Sequence, residues 1–356
     1  MKKRLFRFMA VAMLSTALFS CEKGENNNTT SDSQADEGRV YILNEGVWGG
    51  NDSELSRYSA EENIIINDYF SSKNGRGLGD VANDIEIYGS KMYVVVNTSN
   101  TVEILDPKTG KSIQQIPLSG KQPREVAFYE GYAYVSCYDK TVVKIDTTTL
   151  SIVAQCQTEG GKCEDLYAYN GYLYVTHAWD QTSTGSTYYD STMSVINLNN
   201  FTVEEKITIG LNPKQVKPIG QGRIMVVCNG NYADVSSYLS VLNMDTKTVQ
   251  KIDISASNIA VYNDVYALAY NYDWTTGEQV FTKIDLNTFA GTTWNYDGGK
   301  SLVSPYGIAI DPQTQNTYIT DAQNYQTNGD VYVFDAQGRF ISKHECGIGP
   351  SKIVFL

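Results

Sequence analysis

Short stretches of alternating apolar and polar residues follow one another along the chain from about residue 40 to its end. They are bounded by Gly, Pro, Asn and Asp, which is typical of β-strands separated by tight turns. After residue 40 no run of helical periodicity is longer than two turns. The pattern therefore predicts an all-β fold built from short strands.

One phrase recurs along this region: an apolar strand opened by a large residue and followed by a polar cluster. It begins at Tyr41, Tyr93, Tyr134, Tyr174, Met225, Tyr266 and Tyr318, at intervals of 52, 41, 40, 51, 41 and 52 residues. A period of roughly 40 to 50 residues filled with short strands is the signature of β-propeller blades. We expect the six tyrosines of this set to pack between blades.

Each unit holds four candidate strands. In the second unit the pattern predicts strands at Asp84–Tyr88, Lys91–Val96, Thr101–Leu105 and Ser112–Leu118. In the third unit it predicts them at Glu125–Tyr129, Tyr132–Cys137, Thr141–Ile145 and Ser151–Gln155.

The two ends of the repeat region complement each other. Residues 39–43 correspond to a second strand whose own first strand is missing, whereas residues 349–356 parallel the first strand that begins at Gln122. We predict that the C-terminal strand completes the first blade and closes a seven-bladed ring, because closure pairs edges that would otherwise invite aggregation. A ring of six or eight blades is the alternative.

Loop lengths indicate where a ligand would bind. In a propeller, the links from second to third strand and from blade to blade open on one face. The blade-to-blade links look short, but five second-to-third links are long: 45–54, 177–192, 229–238, 271–279 and 322–329. Long loops in an economical repeat are more often functional than not.

The long loops are rich in aromatic residues interleaved with Asn, Asp, Gly, Ser and Thr, a composition that suits a binding surface. Charged and polar residues at the blade starts lie beside them, including Asn83, Glu125, Glu164, Lys214 and Lys352. The alternative is that some of these rings only pack internally. The candidate ligand-binding residues are Trp48, Asn97, Arg124, Tyr138, His177, Trp179, Tyr188, Tyr232, Tyr272, Trp274, Tyr306 and Tyr325.

Catalytic signals are weak. His177 with Asp180 three residues later is a poor general-base motif, and a structural or ligand-contacting histidine is the better interpretation. Glu164 and Asp165 could serve as acid and base, but adjacent residues on one strand point to opposite faces, so they should not flank one bond. We therefore expect no catalytic residues and no cofactor.

The N-terminus changes the expected location of the protein. Four basic residues precede the apolar stretch 8–19, which is too short to span a bilayer. The sequence Leu18-Phe19-Ser20-Cys21 resembles a bacterial lipobox, which implies a signal peptide at 1–20 and a lipidated Cys21. A plain secretory signal with an incidental cysteine is the alternative. Residues 21–37 contain no aromatic residue and predict a flexible tether, leaving 38–356 for the propeller.

Charge and cysteine content narrow the possible partners. The net charge of −12 argues against a nucleic-acid partner. With only two histidines and no CxxC spacing, a zinc site is improbable. Besides Cys21 there are five cysteines, so at least one thiol stays free; Cys156 and Cys163 either form a local disulfide or remain unpaired.

The repeats, with endings such as Val102-Glu103-Ile104-Leu105-Asp106-Pro107, resemble the YVTN/YncE-type propeller family. The opening 41–46, followed by a Gly/Asn-rich loop and 53–58, is similar to a lipoprotein branch that includes the surface cobalamin-binding BtuG family. The resemblance implies an outer-membrane lipoprotein that faces the cell exterior, captures cobalamin or another corrinoid and hands it to a TonB-dependent transporter. Another nutrient such as a glycan or haem, a partner protein, or an enzymatic activity are the competing hypotheses.

Overall fold

The computed structural model of the protein describes residues 38–272, 276–297 and 302–356. These residues form seven four-stranded antiparallel sheets, one two-stranded hairpin and one short helix. Within them, no helix is long and apolar enough to cross a membrane.

The strands follow the chain blade by blade, from the innermost strand outward. The chain opens with β1 (Val40–Asn44), β2 (Glu54–Ser59), β3 (Ile64–Ile66) and helix α1 (Tyr69–Asn74). The second blade has β4 (Ala82–Tyr88), β5 (Lys91–Val96), β6 (Thr101–Leu105) and β7 (Ser112–Pro117). The third has β8 (Pro123–Tyr129), β9 (Tyr132–Cys137), β10 (Thr141–Asp146) and β11 (Ser151–Gln157).

The fourth blade carries the two-stranded hairpin as an insertion. It has β12 (Cys163–Tyr169), β13 (Tyr172–His177), the hairpin β14 (Trp179–Gln181) and β15 (Thr187–Tyr189), β16 (Thr192–Asn197) and β17 (Thr202–Thr208). The fifth has β18 (Pro213–Pro218), β19 (Arg223–Cys228), β20 (Tyr238–Asn243) and β21 (Thr248–Ile252).

The sixth blade has β22 (Asn258–Tyr262), β23 (Tyr266–Tyr272), β24 (Gln279–Asp285) and β25 (Gly291–Thr293). The seventh has β26 (Pro305–Ile310), β27 (Thr317–Asp321), β28 (Asn328–Phe334) and β29 (Phe340–Ile348), and the chain ends with β30 (Pro350–Phe355). The strands predicted for the second and third units differ from these bounds by no more than two residues at either end.

The C-terminal strand closes the ring. β30 pairs antiparallel with β1, so that Ile353 lies opposite Ile42, and the first sheet has the order β3-β2-β1-β30. Each innermost strand contacts the innermost strand of the next blade, from β4 round to β30 and back to β4. The seven-bladed all-β propeller, with its first blade completed by the C-terminal strand, is confirmed.

The core lies between blades. Seven apolar clusters are present, and each is made by two neighbouring blades. The recurrent tyrosines lie in these clusters, five of them no more than 1% exposed and Tyr266 half-buried. Two of their hydroxyl groups reach across to the next blade: Tyr41 donates to the Pro107 carbonyl over 2.9 Å and Tyr174 to that of Met244 over 3.2 Å. The expectation that they pack between blades is confirmed.

Two blade-to-blade links are longer than expected. The link 67–81 contains α1, whose Tyr69 and Phe70 are buried against the first and second blades. The link from β25 to β26 spans 294–304 and buries Trp294 and Leu302, although 298–301 lie outside the described residues. The expectation of uniformly short links was wrong here because the six residues of α1 are too few to show helical periodicity.

A β-bulge at the start of the innermost strand decides where its side chains point. In β8, Arg124 and Glu125 together lie opposite one residue, Ser136, and in β12 Glu164 and Asp165 lie opposite Thr176. A bulge of this kind breaks the usual alternation of side chains. The backbone N–H that leaves the ladder is satisfied by a hydroxyl group, as when Glu125 N–H donates to Ser136 Oγ over 3.1 Å.

Candidate functional site

The long loops and the blade starts lie on one face of the ring, which we call the loop face. In six blades the residue that follows the second strand donates its backbone N–H to the carbonyl of the residue preceding the first strand, as from Asn97 to Val81 and from Tyr138 to Gln122. This bond joins the two kinds of link. The loop face therefore carries both the long loops and the polar blade starts.

The centre of the loop face is a polar cavity of about 170 Å³, which we call the mouth chamber. Because residues of all seven blades line it, it lies on the axis of the ring. The lining consists of Glu45, Asn83, Arg124, Glu125, Glu164, Asp165, Lys214, Gln215, Asn229, Ser257, Asn258, Tyr306, Ser351 and Lys352.

Glu164 is the best-paired carboxylate of the mouth chamber. Its Oε1 accepts from Arg124 Nη2 over 2.7 Å and from Lys214 Nζ over 2.6 Å, and its side chain is 2% exposed. Burial alone would raise the pKa of Glu164, but Arg124 and Lys214 outweigh it and lower the pKa to about 2. Three successive blades are thereby joined through one buried anion.

A second ionic group lies beside it. Lys352 of the closing strand donates to Glu125 Oε2 over 2.7 Å and lies 3.3 Å from Asp84 Oδ1. Tyr306 donates its hydroxyl to Glu45 Oε2 over 3.0 Å. Burial raises the pKa of both Glu45 and Glu125, and the charge of Asp84 adds to the rise at Glu125. Both carboxyl groups therefore keep a proton to higher pH than an exposed glutamate does.

The bulge overturns one argument about Glu164 and Asp165. Adjacent strand residues were expected to point to opposite faces, yet both residues line the mouth chamber because they share a bulge. Asp165 is nevertheless engaged in holding the ring together: its Oδ2 accepts from the Val216 N–H of the next blade over 2.7 Å. With Glu164 held between two cations, both carboxylates join blades.

Beside the chamber, one cluster stacks cations on aromatic rings. The Tyr138 and Trp179 rings meet edge to face with centroids 5.8 Å apart. Lys162 Nζ lies 4.3 Å from the Trp179 ring centroid, and the Arg124 guanidinium lies 4.7 Å from that of Tyr138. Trp179 is half-buried.

A larger cavity of about 680 Å³ opens between the fifth and sixth blades, and we call it the neutral crevice. It falls within the size range of small-molecule sites, about 300 to 1,000 Å³. None of its described lining residues is charged: they are Asn229, Tyr232, Ala233, Val235, Ser236, Ser237, Ser255, Ser257, Asn271 and Tyr272. Asn229 and Ser257 also line the mouth chamber, so the two cavities adjoin.

The tyrosines of the neutral crevice differ in exposure. Tyr232 is 65% exposed, its hydroxyl accepts from Asn229 Nδ2 over 3.0 Å, and its ring meets Tyr189 edge to face at 5.6 Å. Tyr272 is half-buried at the end of β23. Their rings give the crevice an aromatic wall, and the serine and asparagine side chains give it neutral hydrogen-bonding groups.

Four further predicted site residues lie on the loop face, and of these Tyr306 lines the mouth chamber. Tyr306 and Tyr325 meet edge to face with centroids 5.4 Å apart. Trp48 is 80% exposed at the tip of the 45–53 loop, and Tyr188 is exposed on the hairpin. Tyr325, Trp48 and Tyr188 line neither of the two cavities. Trp274 and Cys21 lie outside the described residues.

Two predicted residues do not reach the surface of the face. His177 is 0% exposed; its Nδ1 lies 3.0 Å from the Gly161 carbonyl and its Nε2 lies 2.7 Å from Ser194 Oγ. Asn97 is 9% exposed and donates to the Pro123 carbonyl over 2.9 Å. The expectation of ligand contact does not fit these placements, because both side chains are used to hold neighbouring backbone in place.

Several residues that shape the site were missed from the sequence. Glu45, Lys162 and Asn258 were not singled out, although each lies at the beginning of a loop or a blade. A signal was present in the second strands: Ser136, Thr176 and Thr320 stand two residues after the recurrent tyrosine and are 0% exposed. A hydroxyl group at a buried strand position marks the bulge that turns two consecutive side chains inward.

The described cysteines are unpaired, and together with the described acidic residues they form no metal site. All five cysteines of the described region are free and buried, which settles the open question of Cys156 and Cys163 in favour of unpaired thiols. Throughout residues 38–272, 276–297 and 302–356, no group of three or more His, Cys, Asp or Glu side chains is arranged to hold a metal ion.

Comparison with known proteins agrees with this architecture. A family model described as "Domain of unknown function (DUF5074)" matches residues 38–355. A search of the curated proteins found no match.

Three solved structures share the fold at low sequence identity. A quinonprotein alcohol dehydrogenase-like protein from Bacteroides thetaiotaomicron is 17% identical, with a TM-score of 0.60 over 90% of this chain and 78% of that one. Hydrazine synthase from Kuenenia stuttgartiensis is 15% identical, with a TM-score of 0.59 over 74% and 85%. BamB from Moraxella catarrhalis is 13% identical, with a TM-score of 0.51 over 86% and 82%. At these identities the likeness extends to the fold alone.

Proposed function

The chain belongs to the DUF5074 family, and from this premise we propose that it is a surface lipoprotein that captures a large, neutral ligand on its loop face. We propose a corrinoid such as cobalamin as the ligand, and a TonB-dependent outer-membrane transporter as the protein that receives it. The protein acts by binding, without a catalytic step of its own. The resemblance of residues 41–58 to the cobalamin-binding lipoprotein propellers supports the choice of ligand.

The observation that carries this proposal is the neutral crevice. A cavity of about 680 Å³ without a charged lining residue suits a ligand that presents neutral amide and hydroxyl groups around a flat apolar body. Tyr232 and Tyr272 supply ring area at a low cost in side-chain entropy. A corrinoid is larger than the crevice, so it would also contact exposed rings of the loop face, of which Trp48 and Tyr188 are the most prominent.

The test is a calorimetric titration of residues 38–356 with cyanocobalamin. We expect saturable binding with one ligand per protein. The matched variants are Tyr232→Ala with Tyr272→Ala in the crevice, and Tyr169→Ala at the opposite end of the fourth blade. The crevice variant should bind at least tenfold more weakly with a nearly unchanged melting temperature, and the Tyr169 variant should bind as the wild type does. No heat and no thermal shift with the wild type would reject the corrinoid.

A second candidate is a neutral oligosaccharide. The same combination of tyrosine rings with serine and asparagine side chains suits sugars, which stack on aromatic faces and exchange hydrogen bonds with neutral polar groups. Titration with neutral oligosaccharides, and competition between them and cyanocobalamin, separates the two ligands. Saturable sugar binding that depends on Tyr272, together with no corrinoid binding, would replace the first candidate by the second.

The proposed location rests on Cys21. We propose that the signal peptide 1–20 is removed, that Cys21 is acylated and that residues 21–37 tether the propeller to the outer surface of the outer membrane. Cys21→Ser should release the protein from the membrane fraction. Protease added to intact cells should remove the propeller if it faces the exterior and should leave it intact if it faces the periplasm.

A further inference from the structure

The mouth chamber contains an unusual concentration of buried polar atoms without partners. Among the described residues, eleven buried side-chain nitrogen or oxygen atoms have no hydrogen-bond partner, and six belong to residues that line the chamber. One of these, Ser351 Oγ, lies beside the Glu45 carboxylate, which can accept a hydrogen bond from it. The other five are Asn83 Oδ1, Arg124 Nε, Glu164 Oε2, Asn229 Oδ1 and Asn258 Oδ1.

Four of these five atoms are oxygens that can only accept hydrogen bonds. Asn229 and Asn258 already use their amide N–H groups, on the Tyr232 hydroxyl and the Tyr306 carbonyl, so their oxygens are the free ends. Both cations that pair with Glu164, Arg124 and Lys214, contact its Oε1. Its Oε2 is therefore unpaired in a side chain that is 2% exposed. A buried acceptor without a donor costs free energy, so a cluster of them indicates a group that supplies donors.

The charged side chains of the chamber favour a donor group that carries a positive charge. Four carboxylates line it, on Glu45, Glu125, Glu164 and Asp165, against three cations, on Arg124, Lys214 and Lys352. Asp84, which lies 3.3 Å from Lys352, adds a further carboxylate just behind the lining. The chamber therefore has more carboxyl groups than cationic groups, and it is also rich in free acceptors.

We propose that the mouth chamber is a binding site for a primary alkylammonium group. Such a group brings three N–H donors and one positive charge on a small head, whereas an anion would meet the carboxylate excess and a neutral hydroxyl compound would bring one donor. A cavity of about 170 Å³ admits the ammonium head and a short alkyl chain. This inference does not depend on which ligand occupies the neutral crevice.

Asn83 is the residue that tests the proposal most cleanly. Its side chain is 6% exposed, and its Oδ1 has no partner within the protein. Replacing it by leucine, which has a similar volume, removes an acceptor and breaks no bond to that oxygen. Removing an unsatisfied buried polar atom should leave stability unchanged or raised. A loss of ligand binding in this variant would therefore not result from damage to the fold.

The experiment is a titration of the propeller with n-butylammonium chloride at constant ionic strength, followed by calorimetry. We expect saturable binding of n-butylammonium and none of 1-butanol, which has the same chain without the charge. Asn83→Leu should weaken binding about tenfold, in line with the loss of a hydrogen bond to a charged group. Asn83→Asp, which turns the free acceptor into a carboxylate, should strengthen it.

The matched control is Tyr93→Phe. Tyr93 Oη is also a buried atom without a partner, but it lies in the cluster between the second and third blades, away from the chamber. This variant should bind n-butylammonium as the wild type does. The proposal is overturned if n-butylammonium does not saturate, if 1-butanol or potassium ion binds equally well, or if Asn83→Leu binds as tightly as Tyr93→Phe.

Discussion

Arg124 of the third blade and Glu164 of the fourth form an ion pair at the mouth of the ring, with 2.7 Å between Nη2 and Oε1. Lys214 of the fifth blade completes it from the other side, 2.6 Å from the same oxygen. The contact joins three blades at the point where a ligand on the loop face would approach the axis. Its partners are the side chains that the bulges in β8, β12 and β18 turn inward.

The first prediction is that Arg124→Met destabilises the propeller by about 2 to 4 kcal/mol, because it leaves a buried carboxylate with one cation instead of two. Urea unfolding measures the difference. The control is Lys251→Met, which breaks an exposed ion pair with Asp253 and should cost less than about 0.5 kcal/mol. Equal effects of the two variants would show that burial adds nothing to the Arg124 contact.

The second prediction concerns acid. Because the folded pKa of Glu164 is lowered from 4.5 to about 2, its ionised form stabilises the folded protein at pH values above 4.5. That contribution is lost as the pH falls from 4.5 toward about 2, since the unfolded chain takes up the proton first. Arg124→Met raises the folded pKa of Glu164. The stability difference between wild type and variant should therefore shrink as the pH falls from about 7 to about 3, and a constant difference would contradict this assignment.

The sequence predicted the seven-bladed ring well because the same apolar strands and turn residues recur in each blade. The recurrent phrase of a large residue followed by apolar residues located β5 and β9 without error, because both faces of these strands are buried between blades. The parallel between the end of the chain and the strand that begins at Pro123 predicted that β30 would close the first blade. These conclusions needed only the period of the repeat, the turn residues and the requirement that the edge strands of the sheets be paired.

The site was less predictable because it depends on places where side chains do not alternate between the two faces of a strand. The rule that neighbours on a strand face opposite ways separated Glu164 from Asp165, whereas the bulge brings both into one chamber. His177 was placed on the loop face by its position at the end of β13, but Gly160 and Gly161 allow the chain to cover its ring. The burial of one loop residue by another depends on the tertiary structure, so a local sequence pattern does not predict it.

The third prediction separates structure from ligand contact at His177. His177→Leu removes the contacts to Ser194 Oγ and the Gly161 carbonyl and should cost about 1 to 3 kcal/mol of unfolding free energy, because both groups are then buried without a partner. Affinity for a ligand of the loop face should change by less than about twofold, because the ring is 0% exposed. A large loss of affinity without a loss of stability would restore His177 as a contact residue.

The fourth prediction also concerns His177, through pH. Burial lowers the pKa of His177 from 6.5, so the folded protein holds the neutral ring. The unfolded chain takes up a proton as the pH falls below 6.5, and stability is lost from there downward. In His177→Leu this contribution is missing, so the variant should lose less stability than the wild type between about pH 7 and about pH 5. Chemical unfolding at both pH values measures it, and identical losses would exclude His177 as the titrating group.

The fifth prediction concerns closure of the ring. Deletion of residues 350–356 removes β30 and leaves the whole length of β1 without its inner partner, from Val40 opposite Phe355 to Asn44 opposite Pro350. It also removes Lys352 from Glu125 and Asp84. We expect the truncated protein to lose cooperative thermal unfolding and to associate through the exposed edge of β1, which size-exclusion chromatography and circular dichroism would detect.

The control is Ile341→Thr on the outermost strand β29, where the side chain is 49% exposed and the loss of unfolding free energy should stay within about 0.5 kcal/mol. A truncated protein that remains monomeric and melts as the full chain does would mean that the blades are held by their mutual packing without closure.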